Sequence, residues 1–209
     1  MAKGAVGIVD YGMGNLLSVY HAIEMAGGEA RICGIPKELA QMERIILPGV
    51  GAFRDCIANL MEKGFVDALR EAVFQRGKPI LGICLGMQVM ARRSFEGGEH
   101  LGLGWFDADV MRLKPNDPSL RVPQIGWNDV AYRPGSTLFA GHPESPDFYF
   151  VHSYSMVCDH PEDVEATCDY GGLVTAAVGK ANIFATQFHP EKSQDYGLRV
   201  LENFLKWRP

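Results

Sequence analysis

Cys84 stands in the pentapeptide Gly82-Ile83-Cys84-Leu85-Gly86, which is typical of a nucleophile. The spacing matches the G-x-S-x-G turn between a strand and a helix, with cysteine in place of serine. Glycines two residues before and after relieve the crowding of so sharp a turn. A sulfur at a helix N-terminus is favoured as the thiolate, and the free N–H of Leu85 can stabilise an oxyanion. The pattern predicts a catalytic thiol rather than a buried apolar one.

The run Phe188-His189-Pro190-Glu191 could supply the base. Pro190 disfavours the helical conformation for His189, so His189 and Glu191 are expected on one side of an extended chain. A carboxylate in that place can orient an imidazole that activates a nucleophile. Taken alone, the run is more often an ordinary turn, but together with the Cys84 pattern it favours catalysis. His152 is the one other histidine of interest.

A glycine-containing turn, Pro48-Gly49-Val50-Gly51, follows a short apolar run. It lacks the spacing of a phosphate-binding loop, and an ordinary turn between strand and helix would explain it. In a doubly wound sheet, however, the carboxyl ends of neighbouring strands share one crevice. We therefore expect backbone N–H groups of Val50 or Gly51 to face Cys84 and complete an oxyanion hole. If a peptide of this turn must first flip, activity depends on a partner.

The order of strands and helices predicts an α/β fold with one mostly parallel, flavodoxin-like sheet, helices on both faces, and extra antiparallel strands in the second half. In the first half, strands are predicted at Ala5–Val9, Ala30–Cys33, Arg44–Leu47 and 78–83, and helices at 16–27, at 52–76 with a break at Gly64, and at Leu85–Arg92. In the second half, strands are predicted at Ala108–Leu113, Phe148–Val151, Val164–Cys168, Leu173–Val178 and Ile183–Phe188, followed by a C-terminal amphipathic helix.

Length and composition predict a single domain over residues 1–209. The net charge is −5 and no basic run occurs, which argues against nucleic acid or an anionic membrane as a partner. No stretch is long and apolar enough to span a membrane, and no signal-peptide layout is visible. The five cysteines lack metal-binding spacing. We therefore expect a reduced, cytoplasmic setting, no metal and no cofactor.

Three motifs in this order resemble those of the class I, triad-type glutamine amidotransferases: Pro48–Gly51, Gly82–Gln88 and Gln187–Ser193. The resemblance covers essentially the whole chain. It implies that glutamine is hydrolysed to glutamate and ammonia by Cys84, His189 and Glu191. It also implies that a set of neighbouring residues binds glutamine, namely Gly49, Gly51, Gln88, Glu96, Ser153 and Tyr154.

Within this family, four further segments resemble the glutaminase subunits of imidazole glycerol phosphate synthases: Asp10–Asn15, Leu47–Phe53, Ile125–Asn128 and Tyr149–Tyr154. That resemblance implies a heterodimer with a separate cyclase subunit, a (β/α)₈ barrel. The cyclase uses the channelled ammonia to make imidazole glycerol phosphate and an aminoimidazole carboxamide ribotide in histidine biosynthesis. It also points to Asn15, Tyr149 and Lys192 near the docking face, although a helix-start residue, a core aromatic and a surface lysine would look the same.

Three other functions stay open from the sequence. A sister amidotransferase subunit, feeding an anthranilate or aminodeoxychorismate synthase, would share the three catalytic residues. A non-catalytic binding module could keep the same fold, although intact Cys84, His189 and Glu191 argue against it. A cysteine peptidase on a similar fold is the third alternative. Glutamate release that depends on Cys84 and on a specific synthase partner distinguishes these functions.

Overall fold

The computed structural model describes residues 5–209, and the first four residues of the predicted domain lie outside the described residues. Its main sheet has eight strands, numbered along the chain: β1 (Ala5–Val9), β2 (Glu29–Cys33), β3 (Arg44–Leu47), β4 (Ile80–Ile83), β9 (Ala131–Tyr132), β12 (Val164–Asp169), β13 (Leu173–Lys180) and β14 (Ile183–Thr186). Their spatial order is β2-β1-β3-β4-β14-β13-β12-β9. The pairs from β2 to β14 are parallel, whereas β13, β12 and β9 continue the sheet antiparallel.

Two smaller sheets come from the middle of the chain. One has the order β11-β7-β5-β6 and is formed by β5 (Ala91–Ser94), β6 (His100–Leu101), β7 (Phe106–Arg112) and β11 (Tyr154–Cys158). The other pairs β8 (Gln124–Asp129) with β10 (Asp147–His152) antiparallel. The predicted extra strands of the second half are therefore present, but two of them, at Ala108–Leu113 and Phe148–Val151, lie in these separate sheets.

Helices cover both faces of the main sheet, as the alternation of elements predicts. They are α1 (Leu16–Met25), α2 (Phe53–Glu62), α3 (Phe65–Arg70), α4 (Leu85–Gln88) and α5 (Gln194–Lys206), with a π-helical turn at Glu71–Gln75 after α3. Short 3-10 turns occupy Pro36–Gln41, Pro161–Asp163 and Pro190–Lys192. Two buried clusters fill the two faces: one contains Phe53, Leu60 and Phe65, and the other contains Ile23, Val200 and Phe204. This arrangement confirms the predicted fold class.

Several predicted elements are shorter in the structure, two of them next to Cys84 and His189. The helix expected at Leu85–Arg92 ends at Gln88, and residues 91–94 form β5 instead. Pairing explains this, because Met90 and Arg92 offer their carbonyl oxygens to the N–H groups of Trp105 and Gly102. The strand expected at Ile183–Phe188 ends at Thr186. The helix ends early because contacts distant in sequence outweigh the local apolar pattern.

Candidate active site

Cys84 lies on a sharp turn between β4 and α4, as its flanking glycines predict. Its backbone is in an unusual conformation, with φ 55° and ψ −110°, which a residue with a side chain adopts only under strain. The Cys84 N–H donates to the Thr186 carbonyl at 2.7 Å. A Cβ atom on Gly86 would lie only 1.9 Å from the Leu47 carbonyl oxygen. The chain can therefore make this turn only with glycine at that position.

His189 and Glu191 form a tight pair next to this turn. His189 Nδ1 is 2.7 Å from Glu191 Oε1, and the two side chains are 2% and 1% exposed. His189 has the predicted extended backbone. Glu191, however, reaches the imidazole through the 3-10 turn Pro190–Lys192 and not through a continued extended chain. The carboxylate fixes which nitrogen carries the proton, so that Nε2 is the atom left for the thiol.

Burial and two neighbouring groups have opposite effects on the charge of His189. Burial lowers the pKa of its imidazole, but the Cys84 sulfur and the Glu191 carboxylate both raise it, and they carry the pKa to about 9. His189 is therefore favoured as the imidazolium at neutral pH. This is the charge state in which a cysteine acts as a nucleophile and the neighbouring histidine holds a proton for a leaving group.

The turn after β3 packs directly against the Cys84 turn. A Cβ atom on Gly49 would lie 2.8 Å from the Gly86 nitrogen. From below, the Tyr11 hydroxyl donates to the Pro48 carbonyl oxygen at 2.8 Å. The backbone N–H groups of Val50, Gly51 and Leu85 have no hydrogen-bond partner among residues 5–209. Unpaired N–H groups next to a nucleophile are what an oxyanion hole requires.

A cavity of about 390 Å³ opens above the sulfur. Its walls come from both turns, from the end of β5 and from the segment between β10 and β11: Val50, Gly51, Cys84, Leu85, Gln88, Glu96, Pro123, Val151, His152, Ser153, Tyr154, His189 and Lys192. All the residues expected to bind glutamine line it except Gly49, which is buried beneath. Glu191 lies behind His189 and also does not line it. A volume of this size holds a single amino acid.

Two polar side chains of the cavity wall are fixed by the protein itself. Gln88 Nε2 donates to the Tyr154 carbonyl oxygen at 2.8 Å and to Gln187 Oε1 at 2.9 Å. Glu96 Oε2 accepts from the Phe53 N–H at 2.7 Å, at the start of α2. Gln88 therefore keeps its Oε1 as an acceptor, and Glu96 brings a carboxylate to the cavity. Both groups suit an ammonium ligand.

The three residues expected near a docking face have different surroundings. Asn15 caps α1, because its Oδ1 accepts from the Ser18 N–H at 3.4 Å. Tyr149 lies in an edge-to-face contact with Trp127, with ring centroids 6.1 Å apart. Lys192 Nζ lies 5.9 Å from the centroid of the Tyr149 ring, and Lys192 also lines the cavity. Tyr149 and Lys192 are thus neighbours beside the cavity, whereas Asn15 has a local capping role.

His152 lines the cavity but differs from His189 in charge. Its Nδ1 lies 2.9 Å from the Tyr154 carbonyl oxygen, which can only accept, so Nδ1 carries the proton. Burial lowers the pKa of His152 to about 4. His152 is therefore a neutral wall residue at physiological pH.

Sequence reasoning missed two buried residues that touch the site. Gln187 is fully buried, and its Nε2 lies 3.6 Å from Cys84 Sγ. Its signal was present, since residues two apart in an extended chain face the same side and Gln187 precedes His189 by two. Tyr11, which holds the Pro48 carbonyl, lies 37 residues earlier in the chain. No local pattern reveals such a contact.

Two features are absent from the described part of the chain. Among residues 5–209, no three His, Cys, Asp or Glu side chains are grouped closely enough to bind a metal ion. No helix of the same range has the length and apolar character needed to cross a bilayer.

The comparisons of this chain with known proteins agree on one family. The model of the family "Glutamine amidotransferase class-I" matches residues 7–207. The chain is 47% identical over 214 residues to the imidazole glycerol phosphate synthase subunit HisH of Agrobacterium fabrum, covering 98% of this chain and 99% of that relative. It is 46% identical to the subunit HisH of Zymomonas mobilis, covering 100% and 98%.

Solved structures agree with these comparisons on the fold. The structure of PurLQS from Thermotoga maritima superposes with a TM-score of 0.76 at 22% identity, covering 98% of this chain and 98% of that one. A glutamine amidotransferase crystal structure superposes with a TM-score of 0.74 at 22% identity, covering 98% of this chain and all of the other. At such identity the likeness concerns the fold alone.

Proposed function

The chain belongs to the glutamine amidotransferase class-I family, and on that premise we propose that it is the glutaminase subunit of an imidazole glycerol phosphate synthase. Residues 1–209 would form its single amidotransferase domain. The catalytic part of this proposal rests on the buried His189–Glu191 pair beside the strained Cys84 turn. The distance from His189 Nδ1 to Glu191 Oε1 is 2.7 Å.

In the proposed reaction, the Cys84 thiolate attacks the side-chain carboxamide carbon of glutamine. The His189 imidazolium gives its proton to the nitrogen, the C–N bond breaks, and ammonia leaves a thioester on the sulfur. His189, now neutral, takes a proton from water, which attacks the thioester and releases glutamate with the thiolate restored. Glu191 holds the imidazole in the required tautomer and stabilises its charged form.

The oxyanion of each tetrahedral intermediate would be held by the N–H of Leu85 and an N–H of the turn at Val50 and Gly51. The unpaired state of these groups supports the assignment. We propose that the remaining polar residues of the cavity bind the amino-acid end of glutamine. Gln88 and Glu96 offer oxygen acceptors for its ammonium, and Ser153 and Tyr154 close the opposite wall.

The ammonia would pass to a separate cyclase subunit, a (β/α)₈ barrel, and not into water, where it would be protonated. We propose that the cyclase docks at the cavity mouth beside Tyr149 and Lys192, which lie together there. Asn15 is a weaker candidate for this face, because its side chain caps α1. In this assignment no cofactor takes part, and the catalytic groups all come from the chain itself.

The test measures glutamate release from glutamine by the purified chain, alone and with the cyclase subunit plus its nucleotide ligand. We expect strong stimulation by the partner and complete dependence on Cys84, so that Cys84→Ala is inactive. Cys158→Ala is the matched control, since it removes a half-buried thiol outside the cavity and should leave the rate unchanged.

Other outcomes point to other functions. Hydrolysis that depends on Cys84 but not on the cyclase would indicate an amidotransferase subunit of a different synthase, such as an anthranilate or aminodeoxychorismate type. Absence of Cys84-dependent glutamate release under all conditions, with the chain folded, would favour a non-catalytic binding module on the same fold. Thiol labelling that glutamine analogues fail to block would support that second outcome.

A further inference from the structure

Gln187 is a fully buried polar residue that the reaction above does not use. It lies directly after β14, the strand that pairs with β4 and therefore runs beside the residues leading to Cys84. Its backbone N–H donates to the Ala176 carbonyl oxygen at 2.8 Å, which fixes the main chain at this point. Burying a primary amide costs free energy unless its donors and its acceptor are hydrogen-bonded. The side-chain amide of Gln187 is therefore expected to have specific polar partners.

The directions of these contacts follow from one backbone carbonyl. The Tyr154 oxygen can only accept, so the Gln88 atom 2.8 Å from it is the amide nitrogen. That same nitrogen lies 2.9 Å from Gln187, whose facing atom must therefore be the oxygen. Gln187 is left with its nitrogen directed at Cys84 Sγ, at 3.6 Å. The amide of Gln187 is thereby oriented as a donor to the sulfur.

We propose that Gln187 is a positioning residue that donates a hydrogen bond to the Cys84 thiolate and holds it in place for attack. This inference rests on the proposed function of Cys84. The sulfur has different neighbours for its two protonation states. A neutral thiol can donate towards the Val151 carbonyl oxygen at 4.0 Å, whereas a thiolate can only accept, and Gln187 is the amide placed to serve it.

The chain of amides also connects the nucleophile to the wall of the cavity. Gln88 lines the cavity and is held by the Tyr154 carbonyl, and both residues belong to the proposed glutamine site. Gln187 is therefore kept in its donor orientation by residues that contact the ligand space. A hydrogen bond to a charged group contributes more than one between neutral groups. Its loss should be visible in the reactivity of the thiol itself.

The test is alkylation of Cys84 by iodoacetamide in the full-length chain, read by mass spectrometry of the Cys84 peptide across pH 5 to pH 10. In this reaction the thiolate forms an S–C bond and iodide leaves, so the rate follows the thiolate population. Gln187→Leu removes the donor at similar volume, and we expect alkylation at pH 7 to slow by about tenfold or more. The midpoint of the pH profile of the alkylation rate should move to higher pH, by a factor in proton concentration similar to the loss in rate.

Gln187→Glu keeps the shape and an oxygen for Gln88 but places a carboxylate beside the sulfur. Above neutral pH we expect it to slow alkylation more than Gln187→Leu does, because its charge repels the thiolate in addition to removing the donor. Gln124→Leu is the matched control, because Gln124 is also buried and its Nε2 lies 4.0 Å from the sulfur of a different cysteine, Cys168. It should leave Cys84 alkylation unchanged.

Unchanged rate and pH profile in Gln187→Glu would overturn the inference, and so would an unchanged Gln187→Leu chain. If Gln187→Leu fails to fold, as judged by its melting curve, Gln187→Met takes its place, since it keeps the unbranched shape without charge or donor. This readout needs neither glutamine nor the cyclase. A chain with the expected alkylation pattern but without partner-stimulated glutamate release would contradict the assignment to an imidazole glycerol phosphate synthase and leave the donor role of Gln187 standing.

Discussion

The turn at Cys84 and the turn at Gly49–Gly51 end neighbouring parallel strands, β4 and β3, and the protein holds them differently. The Cys84 turn is buried, strained at φ 55°, and fixed by the Thr186 carbonyl. The glycine turn is anchored by Tyr11 at its start, while Val50 is 41% exposed and its N–H has no partner among residues 5–209. The proposed nucleophile is thus held in one conformation, and the proposed second half of the oxyanion hole keeps conformational freedom.

This difference indicates where regulation can act. A peptide that is not hydrogen-bonded can rotate at small cost, whereas the Cys84 peptide cannot rotate without breaking the contact with β14. A docked partner could therefore select one orientation of the glycine turn without moving the nucleophile. Partner-dependent glutaminase activity remains a prediction. Substitutions that act on the Cys84 turn and on the turn at Gly49–Gly51 separate the contributions of the two turns.

Gly86→Ala should have the largest effect, since it forces the two turns apart. The new methyl would lie 1.9 Å from a backbone carbonyl that has no flexible end to move. We expect a loss of about 3 kcal/mol or more in the free energy of unfolding and more than about 100-fold in glutaminase kcat. Urea unfolding and glutamate release measure the two effects.

Gly34→Ala is the control for that substitution, because a methyl there meets no atom within 4 Å and lies on an exposed segment. It should be close to neutral in both measurements. If Gly86→Ala retained full activity, the close packing of the two turns would not matter for the reaction.

Glu191→Gln is a smaller change, and it tests the buried His189–Glu191 pair beside the Cys84 turn. The amide keeps the size of the side chain but removes the negative charge 2.7 Å from His189 Nδ1. The imidazolium then loses its buried counter-charge, and we expect kcat to fall by about 10- to 100-fold with little change in KM. Steady-state kinetics with the cyclase present measure this. A larger change in KM than in kcat would instead place Glu191 in glutamine binding.

The raised pKa of His189 predicts a direction for the pH dependence. Its folded-state pKa is about 9 against an ordinary value of 6.5, so its protonated form stabilises the fold. That stabilisation is complete below pH 6.5 and is lost between pH 6.5 and about 9. The kcat should fall over the upper part of the same range, because neutral His189 has no proton for the leaving ammonia.

Melting temperatures of the folded chain across pH 6 to pH 10 check the stability part. His189→Gln lacks the titrating group and should show no corresponding decrease. A melting temperature of the unmodified chain that rises from pH 6.5 to 9 would have the wrong sign for a raised histidine pKa. It would show that the imidazolium is not stabilised between Cys84 and Glu191.

The two turns also differ in how far the sequence alone predicts them. The Cys84 turn was predictable because its requirements are local: an apolar strand, glycines at Gly82 and Gly86, and the start of a helix. The pairing of His189 with Glu191 was predictable for the same reason. The contact of Tyr11 with Pro48 and the conversion of residues 91–94 into a strand depend on partners far along the chain. Such contacts become visible only when the sheets are assembled.

Tyr11→Phe is the gentlest change and acts on the glycine turn rather than on the Cys84 turn. It leaves the ring in the core but removes the hydroxyl that donates to the Pro48 carbonyl oxygen. We expect a loss of about 1 kcal/mol in the free energy of unfolding, since a buried carbonyl is left unpaired, and a kcat lower by a few fold at unchanged KM.

The control is Cys56→Ala, which deletes the thiol that donates to the Tyr11 hydroxyl at 3.2 Å but keeps the Tyr11–Pro48 bond. Because the anchor of the turn survives there, its kcat should stay near that of the unmodified chain even if stability falls. A kcat that drops equally in both variants would mean that packing around Tyr11, and not its bond to Pro48, positions the turn.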